Sequence, residues 1–190
     1  MWAKSVIQAF KAKGVVGVSG PTIIEDEWRR NRDLFKYAGI RRGYDYLFLP
    51  GQSTRPGRLS SCGANSTASN DVGQDYEGEV DYLEACNMHV LRKEALDVGG
   101  FDHNYKLTSE WCEVDLALKI KSKGRLRYSK HCLLYHRPSA AGIYRARLST
   151  RHRFENFTYF QKKWIKPSLR RHLYWAFVWT YLRMKEWRMI

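Results

Sequence analysis

The chain has 190 residues, 44% of them hydrophobic and 14% aromatic, with 33 Lys/Arg against 19 Asp/Glu and a net charge of +14. That composition excludes a disordered chain, which would lack the apolar material for a core. Four cysteines are too few for a disulfide scaffold, and no run of about 18 apolar residues predicts a membrane-spanning helix. What remains is a soluble or peripheral globular protein whose positive excess predicts an anionic partner: nucleic acid, an anionic membrane or a phosphorylated substrate.

In chain order, Trp2, Val6, Ala9 and Phe10 fall on one face and predict an amphipathic helix over 2–13, stopped by Gly14. Val15–Ser19 reads as a buried strand ended by Gly20-Pro21. A helix and strand with no strand before them look like the middle of an α/β protein. Glu25–Tyr37 mixes charge with Trp28, Leu34 and Phe35 and is compatible with a helix. Gly51–Gly78, rich in small polar residues, predicts a long loop. Val80–Leu83 and Met88–Leu91 read as strands, and Lys93–Val98 as a short helix closed by Gly99-Gly100. Trp111–Lys123 reads as a helix ended by Gly124, and Arg125–Tyr128 and Cys132–Tyr135 as strands. From Ile143 the chain reads as helical, broken at Pro167.

The charge is concentrated at the end. Residues 151–190 hold ten Lys/Arg against Glu155 and Glu186, a net +8 of the total +14. The run Leu173–Leu182 is about 15 Å long as a helix, half a bilayer's hydrocarbon core, and is flanked by Arg170/Arg171 and Arg183/Lys185. Its Trp and Tyr residues suit headgroup depth, so 167–190 reads as a helix lying on an anionic membrane surface. The alternative is a helix packed on protein. Cys62, Cys86, Cys112 and Cys132 form no metal-finger spacing and read as free thiols. The sequons at Asn65 and Asn156 are weak signals.

Chemistry-bearing residues gather in one segment: Gly99-Gly100-Phe101-Asp102, then Glu113-Val114-Asp115-Leu116 at a helix start, then Tyr135-His136 closing a strand. Positions i and i+2 of a helix point to different faces, so Glu113 and Asp115 do not address one substrate atom. One is chemical; the other is a cap or a buried hydrogen-bond anchor.

With Tyr82-Leu83-Glu84-Ala85-Cys86-Asn87-Met88 and Arg92–Leu96 ahead of it, this order resembles the second half of the family-2 glycosyltransferases, over roughly residues 1–140. The resemblance implies an α/β fold, a partial GT-A domain of Rossmann-like mixed sheet over 1–142, with a basic, aromatic-rich helical tail over 143–190. It implies an inverting transfer from a nucleotide-sugar donor to a glycan or lipid-linked acceptor hydroxyl. Glu113 takes the base position, where the family more often has Asp; Cys112 stands where the family has Glu. Asp115, Gly99 and Gly100 are supporting residues. Glu84, Ala85, Cys86, Asn87, Trp111 and Asp102 fall on the acceptor side. Trp111 also reads as core packing, and Asp102 as a turn-former. His136 would approach a divalent metal, Mn²⁺ more readily than Mg²⁺, or simply end a strand.

The family's donor-binding half and its metal-binding DxD do not appear, and Glu25-Asp26-Glu27 follows the wrong strand. A separate chain carrying the donor-binding half is therefore an expected partner. The leading expectation is an enzyme on the cytoplasmic side, peripheral to the inner membrane face. The second is a non-catalytic remnant that only binds acceptor or membrane. The third, a nucleic-acid binder, has the charge but no recognisable motif, and no nucleic-acid partner is expected.

Overall fold

The computed structural model describes residues 2–24, 38–50, 55–66, 74–107, 109–136 and 150–186. Four strands form a sheet in the order β5-β7-β1-β6, where β1 is Val15–Ser19, β5 Glu77–Glu79, β6 His89–Val90 and β7 Arg125–Ser129. β1 runs parallel to β7, while β6 and β5 are antiparallel to their neighbours, so the sheet is mixed. Beyond the carboxyl ends of β1 and β7, β2 (Thr22–Ile24) pairs in parallel with β8 (Leu134–His136). A small hairpin, β3 (Arg58–Leu59) with β4 (Asn65–Ser66), stands apart.

The alternation along β7 decides what covers each face. Leu126 and Tyr128 point into the main core, where α4 (Cys112–Lys121) supplies Val114, Leu116, Ala117 and Ile120. On the other face, α1 (Trp2–Phe10) lays Val6 and Ala9 against Val15, Val18 and Cys132. Gly20 has to be glycine, because a Cβ there would lie 2.5 Å from the Cys132 carbonyl oxygen. The architecture is mixed α/β, as the sequence predicts.

Within 51–78, expected as one long loop, the described residues hold β3, β4 and the start of β5, and the expected strand over 80–83 is replaced by another arrangement. Val80–Leu83 is largely buried but is not a strand: Val80 N–H still reaches the Leu126 carbonyl of β7, while Asp81 N–H and Tyr82 N–H both turn to the Gly57 carbonyl. The tail helices α5 (Thr150–Trp164) and α6 (Leu169–Glu186), separated at Pro167, are part of the body's packing. Phe160 and Ile165 lie in the main core with Leu116 and Tyr82. Phe157 and Tyr174 build a second, aromatic cluster with Phe48 of α2 (Ala38–Phe48). The helix α3 (Arg92–Asp97) precedes Gly99-Gly100 as expected. The expected helix over 25–37 and most of the join between body and tail, 137–149, lie outside the described residues.

Candidate functional site

The carboxyl ends of parallel strands are where α/β folds leave a crevice for a ligand. Here α4 precedes β7 and runs back along it, so the amino end of α4 lies at that edge. The 3₁₀ turn Ala85–Asn87 lies there too. Asn87 is buried; its amide donates to the carbonyls of Cys132 (2.7 Å) and Pro21 (3.3 Å). Its Oδ1 faces Trp2 Nε1 (3.3 Å) and His89 Nε2 (3.1 Å). Asn87 therefore holds the turn onto the strand ends, with its hydrogen bonds directed inside the chain. Ala85 and Cys86 remain exposed beside it, and the Cys86 thiol reaches Thr22 Oγ1 at 3.6 Å.

Glu113 sits in the first turn of α4, where the helix dipole favours a carboxylate. It and Glu84 act on the same two groups. The buried Tyr82 phenol is pushed well up by burial, then by the charges of Glu84 and Glu113. Partial burial of the Cys86 sulfur, followed by the same two carboxylates, raises that thiol as well. Glu84 stands immediately before the exposed Ala85–Cys86 turn, and Glu113 opens α4 at the same edge of the sheet. Cys112, next to Glu113, is pushed up to about 12 by burial and then by that carboxylate, so it stays a neutral thiol and is no nucleophile at neutral pH. Two half-exposed carboxylates beside a surface turn can accept hydrogen bonds, or a proton, from a polyhydroxylated ligand.

Asp115 is the buried anchor of the pair. It is fully buried, accepts from Trp164 Nε1 at 2.7 Å, and is ion-paired with Lys163 at 2.6 Å and Lys119 at 3.4 Å. The same Lys163 reaches Asp102 at 2.6 Å. Asp102 also accepts from Tyr159 O–H (2.9 Å) and from the N–H of Asn104 (2.9 Å). The Lys163 ammonium, first among these partners, holds the Asp102 carboxyl far below the usual carboxylate range. Asp102 thus makes both a turn and an ion pair. Gly99 and Gly100, at φ +83° and +64°, form the left-handed closure of α3 that β-carbon-bearing residues resist. The Gly100 carbonyl takes the Lys119 ammonium at 2.6 Å.

The loop between Asp102 and α4 is strained. Leu107, Ser109 and Trp111 all have positive φ, an arrangement that costs on the order of 1–3 kcal/mol each and persists only when the surroundings over-determine it. Helix α5 does so along the length of the loop. Lys163 takes Asp102, the Asn156 amide brackets the Lys106 backbone N–H and C=O, and Arg153 pairs with Glu110 at 3.4 Å. Trp111, the left-handed residue that opens α4, stacks on Phe160 at 4.8 Å and touches Phe157, so its ring is a packing surface that is only partly exposed. Sequence reasoning missed Lys163, which looked like one more tail cation. Its partners are Asp102 and Asp115, 61 and 48 positions earlier, and no local pattern joins them. The sequon at Asn156 is occupied by this same bracket, and the residue is buried.

His136 ends β8, paired in register with Ile24, and is partly exposed. Among the described residues no group of three His, Cys, Asp or Glu side chains could hold a metal ion. A single imidazole does not make a Mn²⁺ or Mg²⁺ site, so the described residues do not fit the expected metal. Glu25, Asp26 and Glu27 lie outside the described residues. Comparison with protein-family models, with curated proteins and with solved structures finds no match to this chain.

Proposed function

We propose that this chain is the acceptor side of an inverting family-2, GT-A-type glycosyltransferase, working at a membrane face. The observation that carries the reading is the placement of Glu113, in the first turn of α4, and Glu84, the residue before the Ala85–Asn87 turn, at the carboxyl ends of the parallel strands. In this reading the acceptor hydroxyl binds at that turn. Glu113 takes its proton as the oxygen attacks the anomeric carbon, and the nucleotide diphosphate leaves. Asp115 and Asp102 hold the base in place through α5 and do not touch the sugar.

The donor is carried by another segment or another chain. β6 is one of the two edge strands of the four-stranded sheet, and an edge strand offers backbone groups for pairing. The membrane-face element of the reading rests on α6. That helix turns Tyr174 and Leu182 inward and leaves Leu169, Leu173 and Trp179 exposed, with Arg183 stacked 5.7 Å over the Trp179 ring. Such a face suits anionic headgroups on the cytoplasmic side. Among the described residues, no helix is long and apolar enough to cross a membrane.

The test is sugar transfer from a panel of nucleotide-sugars to glycan and lipid-linked acceptors. The chain is supplied together with membranes of cells that express it, and acceptor binding is followed separately by saturation-transfer NMR. Glu113→Gln should lower transfer at least about 100-fold with acceptor binding unchanged. Undiminished transfer removes Glu113 from the base role. Acceptor binding with no transfer from any donor by the unaltered chain selects the second reading, a non-catalytic acceptor-binding protein.

A further inference from the structure

The face of β7 that turns away from α4 carries Arg127 and Ser129, and α1 covers only the neighbouring β1 on that side. A groove of about 760 Å³ is left between α1 and the β5–β7 pair. One wall is α1, with Lys4 and Gln8 one turn apart on it, continued by Lys11 in the turn that follows the helix; the other is Glu77, Arg127, Ser129 and His131. The one carboxylate in the lining is already engaged. Glu77 accepts from Ser129 O–H (2.7 Å) and Lys130 N–H (2.9 Å) and pairs with Arg127 at 3.2 Å. The Arg127 Nε is buried with no hydrogen-bond partner. Among the described residues no carboxylate is ion-paired with Lys4 or Lys11. The groove therefore has an excess of two positive charges, hydroxyl and amide donors, and a buried N–H without a partner. It lies on the opposite face of the sheet from α4, away from the Glu113 turn.

We propose that this groove is a binding site for a small polyanion carrying two or more phosphate groups, held by Lys4 and Lys11 on one side and Arg127 on the other. The proposal stands whether or not the chain transfers sugars.

Inorganic tripolyphosphate is the probe, titrated by calorimetry and by ¹H–¹⁵N chemical-shift perturbation. Saturable one-to-one binding is expected, with shifts at α1, Arg127 and His131 and with affinity falling as salt rises. Lys4→Gln/Lys11→Gln should weaken it at least tenfold. Lys162→Gln/Lys166→Gln, which removes the same charge from exposed tail positions, should change it less than twofold. Equal losses from the two double variants would show diffuse attraction to a basic protein and overturn the site. So would shifts spread over the surface, or binding of a single-stranded oligonucleotide with none of tripolyphosphate. All four positions of α1 and the tail are exposed, so both variants should keep the unaltered melting temperature.

Discussion

Replacing Lys163 by Met removes one ammonium and strips its partner from two carboxylates at once. Asp115 is fully buried, and the Asp102 side chain is 13% exposed. Removing one member of a buried ion pair costs about 3–5 kcal/mol, because the charge left behind is uncompensated. That figure is an upper bound here. The Lys163 side chain keeps 29% exposure, Lys119 stays 3.4 Å from Asp115, and Trp164, Tyr159 and Asn104 go on donating. A loss of about 2 kcal/mol follows, which for a chain of this length lowers the melting temperature by about 4–8 °C.

The pH dependence gives the same reasoning a sign. The folded Asp102 carboxyl is held below its unfolded value, so its contribution is present in full above about pH 4 and is lost as pH falls toward the folded value. The stability gap between the unaltered chain and Lys163→Met should be constant from pH 7 to about pH 5 and should narrow below pH 4. Urea unfolding across that range reads it directly. A gap under about 0.5 kcal/mol at pH 7, or one that does not narrow in acid, would refute the claim that Lys163 locks the two carboxylates. Lys163→Arg, which keeps the charge, should recover more than half of the loss.

Asn87→Ala should cost about 1–3 kcal/mol in urea unfolding, because the buried Cys132 carbonyl loses the Asn87 amide and the Pro21 carbonyl keeps only the Leu134 N–H; a cost near zero would deny the turn its bolt. Leu173→Ser/Trp179→Ser alters only the outer face of α6, so stability should move by no more than about 1 kcal/mol while sedimentation with phosphatidylserine liposomes falls several-fold. Unchanged sedimentation would end the membrane role of that face. Cutting the chain at Pro167 is a poorer experiment, since it also removes the buried Tyr174 and Leu182.

Much of the local structure was legible in the chain. Gly14 and Gly124 bracketed the helices they close, Val15–Ser19 read as the buried strand it is, and Pro167 marked the break between α5 and α6. These features follow from period, side-chain shape and backbone freedom, which neighbouring residues fix among themselves. Val80–Leu83 misled because burial and strand pairing look alike in a short apolar run; the Asp81 and Tyr82 N–H groups answer to Gly57, more than twenty residues away. Glu113 and Asp115 were separable in kind by their spacing, but nothing local said which was the anchor. The position of Lys163 on α5 decided it.

The net charge of +14 is a total and says nothing of where each charge acts. The sequence by itself determined the helices, the strands, the glycine closures and the concentration of charge in the tail, because each depends on residues a few positions apart. Only the tertiary structure decided what those charges do. Lys163 is spent on Asp102 and Asp115 and Arg153 on Glu110, while Lys4 and Lys11 face an open groove. A charge's role is set by what lies within a few ångströms of it, and for these residues that neighbour comes from a distant part of the chain.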